Sequence, residues 1–90
     1  MKTTYLRQYE LFLARLKTVR KEAGITQQEL AKRLGKPQSF VSKYENGERR
    51  LDVVEFLYVA KALGVSGRGL LDQLANAMGA PAGARRNKGI

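Results

Sequence analysis

The sequence contains no cysteine and no histidine. Without cysteine there is neither a disulfide nor a thiolate metal site. Without histidine the chain lacks the commonest general base and the commonest ligand of a catalytic metal. The eight Asp and Glu residues are scattered. No paired carboxylates, Gly-rich phosphate loop or nucleophile–base set appears, so we expect no enzyme, no cofactor and no metal. No apolar run reaches the roughly 18–20 residues that cross a bilayer. The opening stretch MKTTYLRQYELFLARLK is amphipathic and interrupted by charge, without the apolar centre and cleavage site of a signal peptide. A cytoplasmic protein with no membrane partner is the expectation. Strand signals are also missing: β-branched residues are sparse, and no two-residue hairpin turn lies between alternating runs.

What is present suits one small globular domain. Ninety residues, 43% of them apolar, allow a single modest core. Seventeen Lys and Arg against eight acids leave a net charge of +9, a field that favours polyanions. Charge alone is equally compatible with a soluble basic domain that never meets nucleic acid, so placement has to decide.

Glycines divide the chain into helix-sized pieces. Tyr5, Tyr9, Phe12, Leu13, Leu16 and Val19 keep a 3–4 spacing, which predicts a long amphipathic first helix stopped at Gly24 after a cationic last turn. Thr26 and Glu29 fit a capping box for a second helix of about two turns, which carries Leu30, Ala31 and Leu34 and ends at Gly35. Pro37 suits the first position of a third helix, which closes at Asn46-Gly47. Asp52 can cap a fourth helix ending at Gly64, and Ser66 a fifth with Leu70, Leu71, Leu74, Ala75, Ala77 and Met78. From Gly79 the chain is Gly/Ala/Pro-rich and basic without periodicity. We read it as residues 1–78 forming an all-α five-helix bundle, followed by a disordered basic tail over 79–90.

The third helix, within QSFVSKYENGERR, carries the functional signal. At about 100° per residue, Gln38, Ser39, Ser42, Lys43 and Asn46 share an arc of roughly 140°, and Phe40, Val41 and Tyr44 occupy another. One side can dock on the second helix while the other is held outward. Glutamine can pair with adenine through two hydrogen bonds, lysine can donate to guanine, and serine lets a helix sit close to a base or phosphate. A face meant only for solubility is more often rich in Glu and Lys. A two-turn helix, a tight turn and such a reading helix make the helix-turn-helix plan.

On these residues the chain resembles the λ-repressor/Cro-like, or Xre-type, helix-turn-helix family. The resembling stretch is LKTVRKEAGITQQELAKRLGKPQSFVSKYENGERRLDVVEFLYVAKALGVS, more than half the chain. GITQQELAKRLG and SKYENGERR carry the signature order. The resemblance implies a sequence-specific regulator of transcription that binds double-stranded DNA. It places Gln38, Ser39, Ser42 and Lys43 at base-reading positions. Gln27, Asn46, Arg49 and Arg50 fall at backbone-contacting positions. Arg20 and Glu45 match a pair that in relatives joins the first helix to the end of the third. Two positions depart from the pattern: Pro37 stands where Ser or Thr often caps the third helix, and Lys36 where an apolar residue is common.

A homodimer on a palindrome is expected, because one such domain covers little DNA. The apolar stripe of the fifth helix either closes the core or meets a second copy, with Leu70 and Leu74 inward and Leu71 and Met78 towards the partner. Tyr5, Tyr9 and Phe12 are expected to cover the fifth helix, with a dimer interface as the other use. The basic residues Arg85, Arg86 and Lys88 of the tail either add a loose attraction to DNA or only solubilise. Two rival functions stand beside DNA reading: a protein-interaction module of antitoxin or adaptor type, and a basic amphipathic protein lying on anionic membranes.

Overall fold

The computed structural model describes residues 6–79, so Tyr5 and the tail residues Arg85, Arg86 and Lys88 lie outside the described residues. Five α-helices follow one another: α1 (Leu6–Glu22), α2 (Gln27–Leu34), α3 (Gln38–Glu45), α4 (Val53–Leu63) and α5 (Gly67–Ala77). The described residues contain no strand. No helix among them is long and apolar enough to cross a membrane.

Each helix buries part of the stripe that its spacing marks out, α5 Leu70 alone. Leu13, Leu16 and Val19 of α1, Leu30 and Ala31 of α2, Val41 and Tyr44 of α3, Phe56, Val59, Ala60 and Leu63 of α4 and Leu70 of α5 form one core with Ile25. Leu16, Leu30, Val41, Tyr44 and Val59 are fully enclosed. Because α2 is only two turns long, it gains little from its own hydrogen bonds. Its stability comes from packing against α3 and α4.

Caps place the joints. Thr26, Asp52 and Ser66 each accept a hydrogen bond from the amide three residues on, satisfying an orphan donor of the first turn. At Asp52 the capping box is complete, since Glu55 Oε1 accepts from the Asp52 amide at 3.0 Å. At Thr26 only half the expected box forms; the Glu29 carboxylate faces Arg33 at 3.4 Å instead. Gly35 ends α2 at φ 67°, where a Cβ would be strained, and the Lys36 amide reaches back to the Ala31 carbonyl at 2.9 Å. That closure turns the chain from α2 into α3 within Gly35, Lys36 and Pro37. Pro37 is the N-cap of α3 rather than its first helical residue.

The aromatic residues of α1 meet α4 and its preceding loop as well as α5: Phe12 lines a cavity with Leu70 and Leu74, and Tyr9 another with Leu71 and Leu74. Phe12 packs on Phe56 of α4 at 5.2 Å between ring centroids. The Tyr9 hydroxyl accepts from the Leu51 amide at 2.9 Å, fastening the α3–α4 loop to α1. The loop's backbone donor needs an acceptor where no helix supplies one, and Tyr9 provides it. On α5, Leu70 is buried and Leu74 half-buried, while Leu71 and Met78 are exposed.

Candidate nucleic-acid interface

Helix α3 lies across the bundle with Val41 and Tyr44 sealed in the core and Phe40 half-buried. Gln38, Ser39, Lys43 and Asn46 are exposed, and Ser42 is half-buried. The polar arc expected from spacing therefore faces solvent, with Ser42 at its inner border. Glycine at 47 (φ 78°) turns the chain away immediately after Asn46, the C-cap.

The orientation of α3 is held from beneath by a buried ion pair. Arg20 Nε donates to Glu45 Oε2 at 2.7 Å and Nη2 to Oε1 at 3.1 Å. The Glu45 side chain is 0% exposed and that of Arg20 8%. Arg20 Nη1 also donates to the Ile25 carbonyl at 2.8 Å. The hydrogen bond to Glu45 raises the Arg20 pKa further above its ordinary value, against the opposing effect of burial. A buried charge pair is tolerated when its remaining donors and acceptors are met, and here three helices meet on it. Gln27 Nε2 at the start of α2 donates to Glu45 Oε1 at 2.9 Å.

Gln27 thus has a structural use that sequence reasoning did not reach. Its oxygen lies 3.5 Å from the Gln38 amide nitrogen, so it links the buried pair to the first outward residue of α3.

The α3–α4 loop divides the expected backbone-contacting set. Asn46 is exposed, its amide 3.5 Å from Glu48. Arg50 is exposed and lies over the Tyr9 ring at 4.4 Å. Arg49 is half-exposed and is held in an intramolecular ion pair: its guanidinium meets both Glu55 oxygens, at 3.0 and 2.6 Å. This pairing and the Asp52 amide hold the Glu55 carboxyl down at about 2. Sequence reasoning missed Glu55; the signal that could have found it as a cap is the box spacing Asp52-x-x-Glu55. Its partnership with Arg49 depends on the path of the loop and carries no mark in the sequence.

Residues 16–70 match the helix-turn-helix family. The chain belongs to the Xre-type helix-turn-helix family. An XRE-family like protein from Pseudomonas syringae pv. tomato str. DC3000 has a similar structure: TM-score 0.81 at 48% identity, covering 83% of this chain and 92% of that one. The clp gene regulator ClgR from C. glutamicum is also similar, with TM-score 0.69 at 28% identity, over 80% and 94% of the two chains. In sequence, an uncharacterized HTH-type transcriptional regulator, y4dJ, of Sinorhizobium fredii (strain NBRC 101917 / NGR234) is 42% identical over 48 residues. That match spans 53% of this chain and 62% of the relative.

Within this Xre-type domain α2 and α3 are the helix-turn-helix pair, and the family match covers both together with α4. The departure at Pro37 leaves α3 without a side-chain cap. The fixed φ of proline still sets the chain in the extended N-cap conformation, at φ −67° and ψ 156°.

Proposed function

We propose that this domain is a transcriptional regulator that binds double-stranded DNA sequence-specifically, with α3 in the major groove. The observation that carries this reading is the outward face of α3. Amide, hydroxyl and ammonium groups of Gln38, Ser39 and Lys43 stand in solvent, on a helix whose other side is locked by the buried Arg20–Glu45 pair. Ser42 completes the base-reading set. In this reading Asn46, Arg50 and the start of α2 at Gln27 take the phosphates, and the net charge of +9 supplies the general attraction that dominates affinity.

The domain acts as a two-fold dimer in this reading, setting two α3 helices in half-sites about 34 Å apart. Exposed Leu71 and Met78 support it: with Leu74, Tyr9, Phe12 and Val53 they border an apolar groove of about 440 Å³.

The direct test is binding to genomic fragments at about 150 mM salt with competitor DNA, where screening suppresses loose attraction. A preferred subset of fragments is the expected result. Equal affinity for every fragment sinks the reading.

One observation favours a second reading, an interaction module whose DNA binding is secondary. On α4, Val54, Leu57 and Tyr58 are 56%, 49% and 63% exposed on one face, a patch of the kind that meets other proteins. A stoichiometric protein partner captured without any DNA retention would favour it over the first.

A further inference from the structure

The loop between the reading helix and α4 is fastened by one cluster. Arg49 Nη1 donates both to Glu55 Oε1 at 3.0 Å and to the Arg50 carbonyl at 2.9 Å, and Nη2 donates to Glu55 Oε2 at 2.6 Å. The guanidinium lies over the Phe40 ring of α3, 4.7 Å from its centroid, with Lys36 at 5.6 Å. Glu55 Oε1 also accepts from the Asp52 amide. One arginine therefore touches the reading helix, the loop and the first turn of α4.

We propose that Arg49 and Glu55 are positioning residues for DNA recognition, and that Arg49 neutralises no phosphate. This rests on the DNA-binding reading above and revises the role that resemblance alone gives Arg49. The reason is competition for one guanidinium. A planar fork that already grips a carboxylate through both terminal nitrogens has its charge matched within the protein. Turning to a phosphate would break that grip, lift the side chain from Phe40 and leave the Glu55 carboxylate facing DNA. What the clasp does instead is fix where Arg50 leaves the loop and where α3 stands relative to α4. The Tyr9 hydroxyl, accepting from the Leu51 amide, completes the fastening from the α1 side.

Salt dependence and the sign of one substitution separate the two roles. The probe is the preferred duplex recovered by selection from a random pool, and the protein is the full chain. Each phosphate contact contributes about 0.9 to the slope of log K against log salt. Arg50→Ala is expected to reduce the slope by about 1. Arg49→Ala, Arg49→Lys and Glu55→Gln are expected to lower affinity with the slope unchanged, and to speed amide exchange at Leu51 and Asp52. A phosphate-binding Arg49 predicts the opposite for Glu55→Gln: removing the competing carboxylate frees the cation and tightens binding. Tighter binding by Glu55→Gln, a slope reduced by about 1 in Arg49→Ala, or full affinity retained in Arg49→Lys each overturns the proposal. Denaturation curves identify any variant that unfolds, and Arg49→Lys, which keeps the charge and loses only the fork, then decides. If the unmodified chain selects no duplex, the DNA-binding reading has failed and the proposal falls with it. If it selects one and the variants bind it unchanged, the proposal alone has failed.

Discussion

Arg20 and Glu45, 25 residues apart in sequence, meet in a bidentate contact of 2.7 and 3.1 Å that is withdrawn from solvent. The pair stands directly behind the outward face of α3, so it joins stability to function. Removing one partner strands the other as a buried charge, which costs about 3–5 kcal/mol. We expect Arg20→Ala and Glu45→Ala each to lower unfolding stability by that amount in urea titrations. Replacing both residues by apolar ones of similar volume should cost less than either single change. Single variants that lose under about 1 kcal/mol would show that the pair behaves as a surface salt bridge.

The outward residues should separate into two classes. Lys43→Ala and Gln38→Ala are expected to relax preference at one or two base pairs, at about 1–3 kcal/mol for each bidentate pairing with a base that is removed. Arg50→Ala should weaken all sequences alike. Binding matrices measured for each variant check this, and identical behaviour of the two classes would remove the assignment of roles.

Leu71 and Met78 are each 39% exposed, so replacing them should barely disturb the fold; such surface changes usually stay within about 0.5 kcal/mol. Leu71→Asp and Met78→Asp are expected to shift the protein towards monomer in sedimentation equilibrium. They should also weaken binding to a two-half-site duplex more than to a single half-site. An unchanged oligomeric state would place the dimer contact elsewhere.

The Tyr44 hydroxyl is buried and has no hydrogen-bond partner among the described residues, and burial pushes its pKa upward. A buried polar group without a partner costs about 1–3 kcal/mol. Tyr44→Phe keeps the ring that packs edge-on against Phe40 and removes only the hydroxyl. Unchanged or raised thermal stability is expected. A clear loss would mean that the hydroxyl makes a favourable contact after all.

Glu55 predicts an acid-sensitive contribution to stability. Arg49 and the Asp52 amide lower its pKa from 4.5 to about 2, with Lys36 adding a smaller effect in the same direction. A carboxylate depressed in the folded state stabilises above its unfolded pKa, and the effect is lost as pH falls through the folded value. The stability gap between the unmodified chain and Glu55→Gln should therefore be full above about pH 4.5 and close by about pH 2. Denaturation curves across that range test it; a gap independent of pH would deny the pair its charge-based origin.

Much of the fold was legible because its signals are local. Period-3.6 apolar spacing, glycine at helix ends and Thr26, Asp52 and Ser66 at helix starts each act within a few residues. All five helices follow from them. The outward arc of α3 was legible for the same reason, since a helix of fixed pitch presents its faces in a fixed order. The role of Arg20 and Glu45 was legible only through family resemblance, because nothing in either residue's neighbourhood announces a partner 25 positions away.

Three outcomes belonged to the tertiary structure alone. Which hydrogen bonds Gln27 makes depended on how α2 meets α3. Where Tyr9 and Phe12 pack depended on which elements α1 meets. Whether Arg49 reaches Glu55 depended on the course of the loop between α3 and α4. In each case a flexible side chain had several chemically adequate partners. Sequence restricts that choice to a set, and only the positions of the neighbouring backbones, brought together by burial of a common core, select one member.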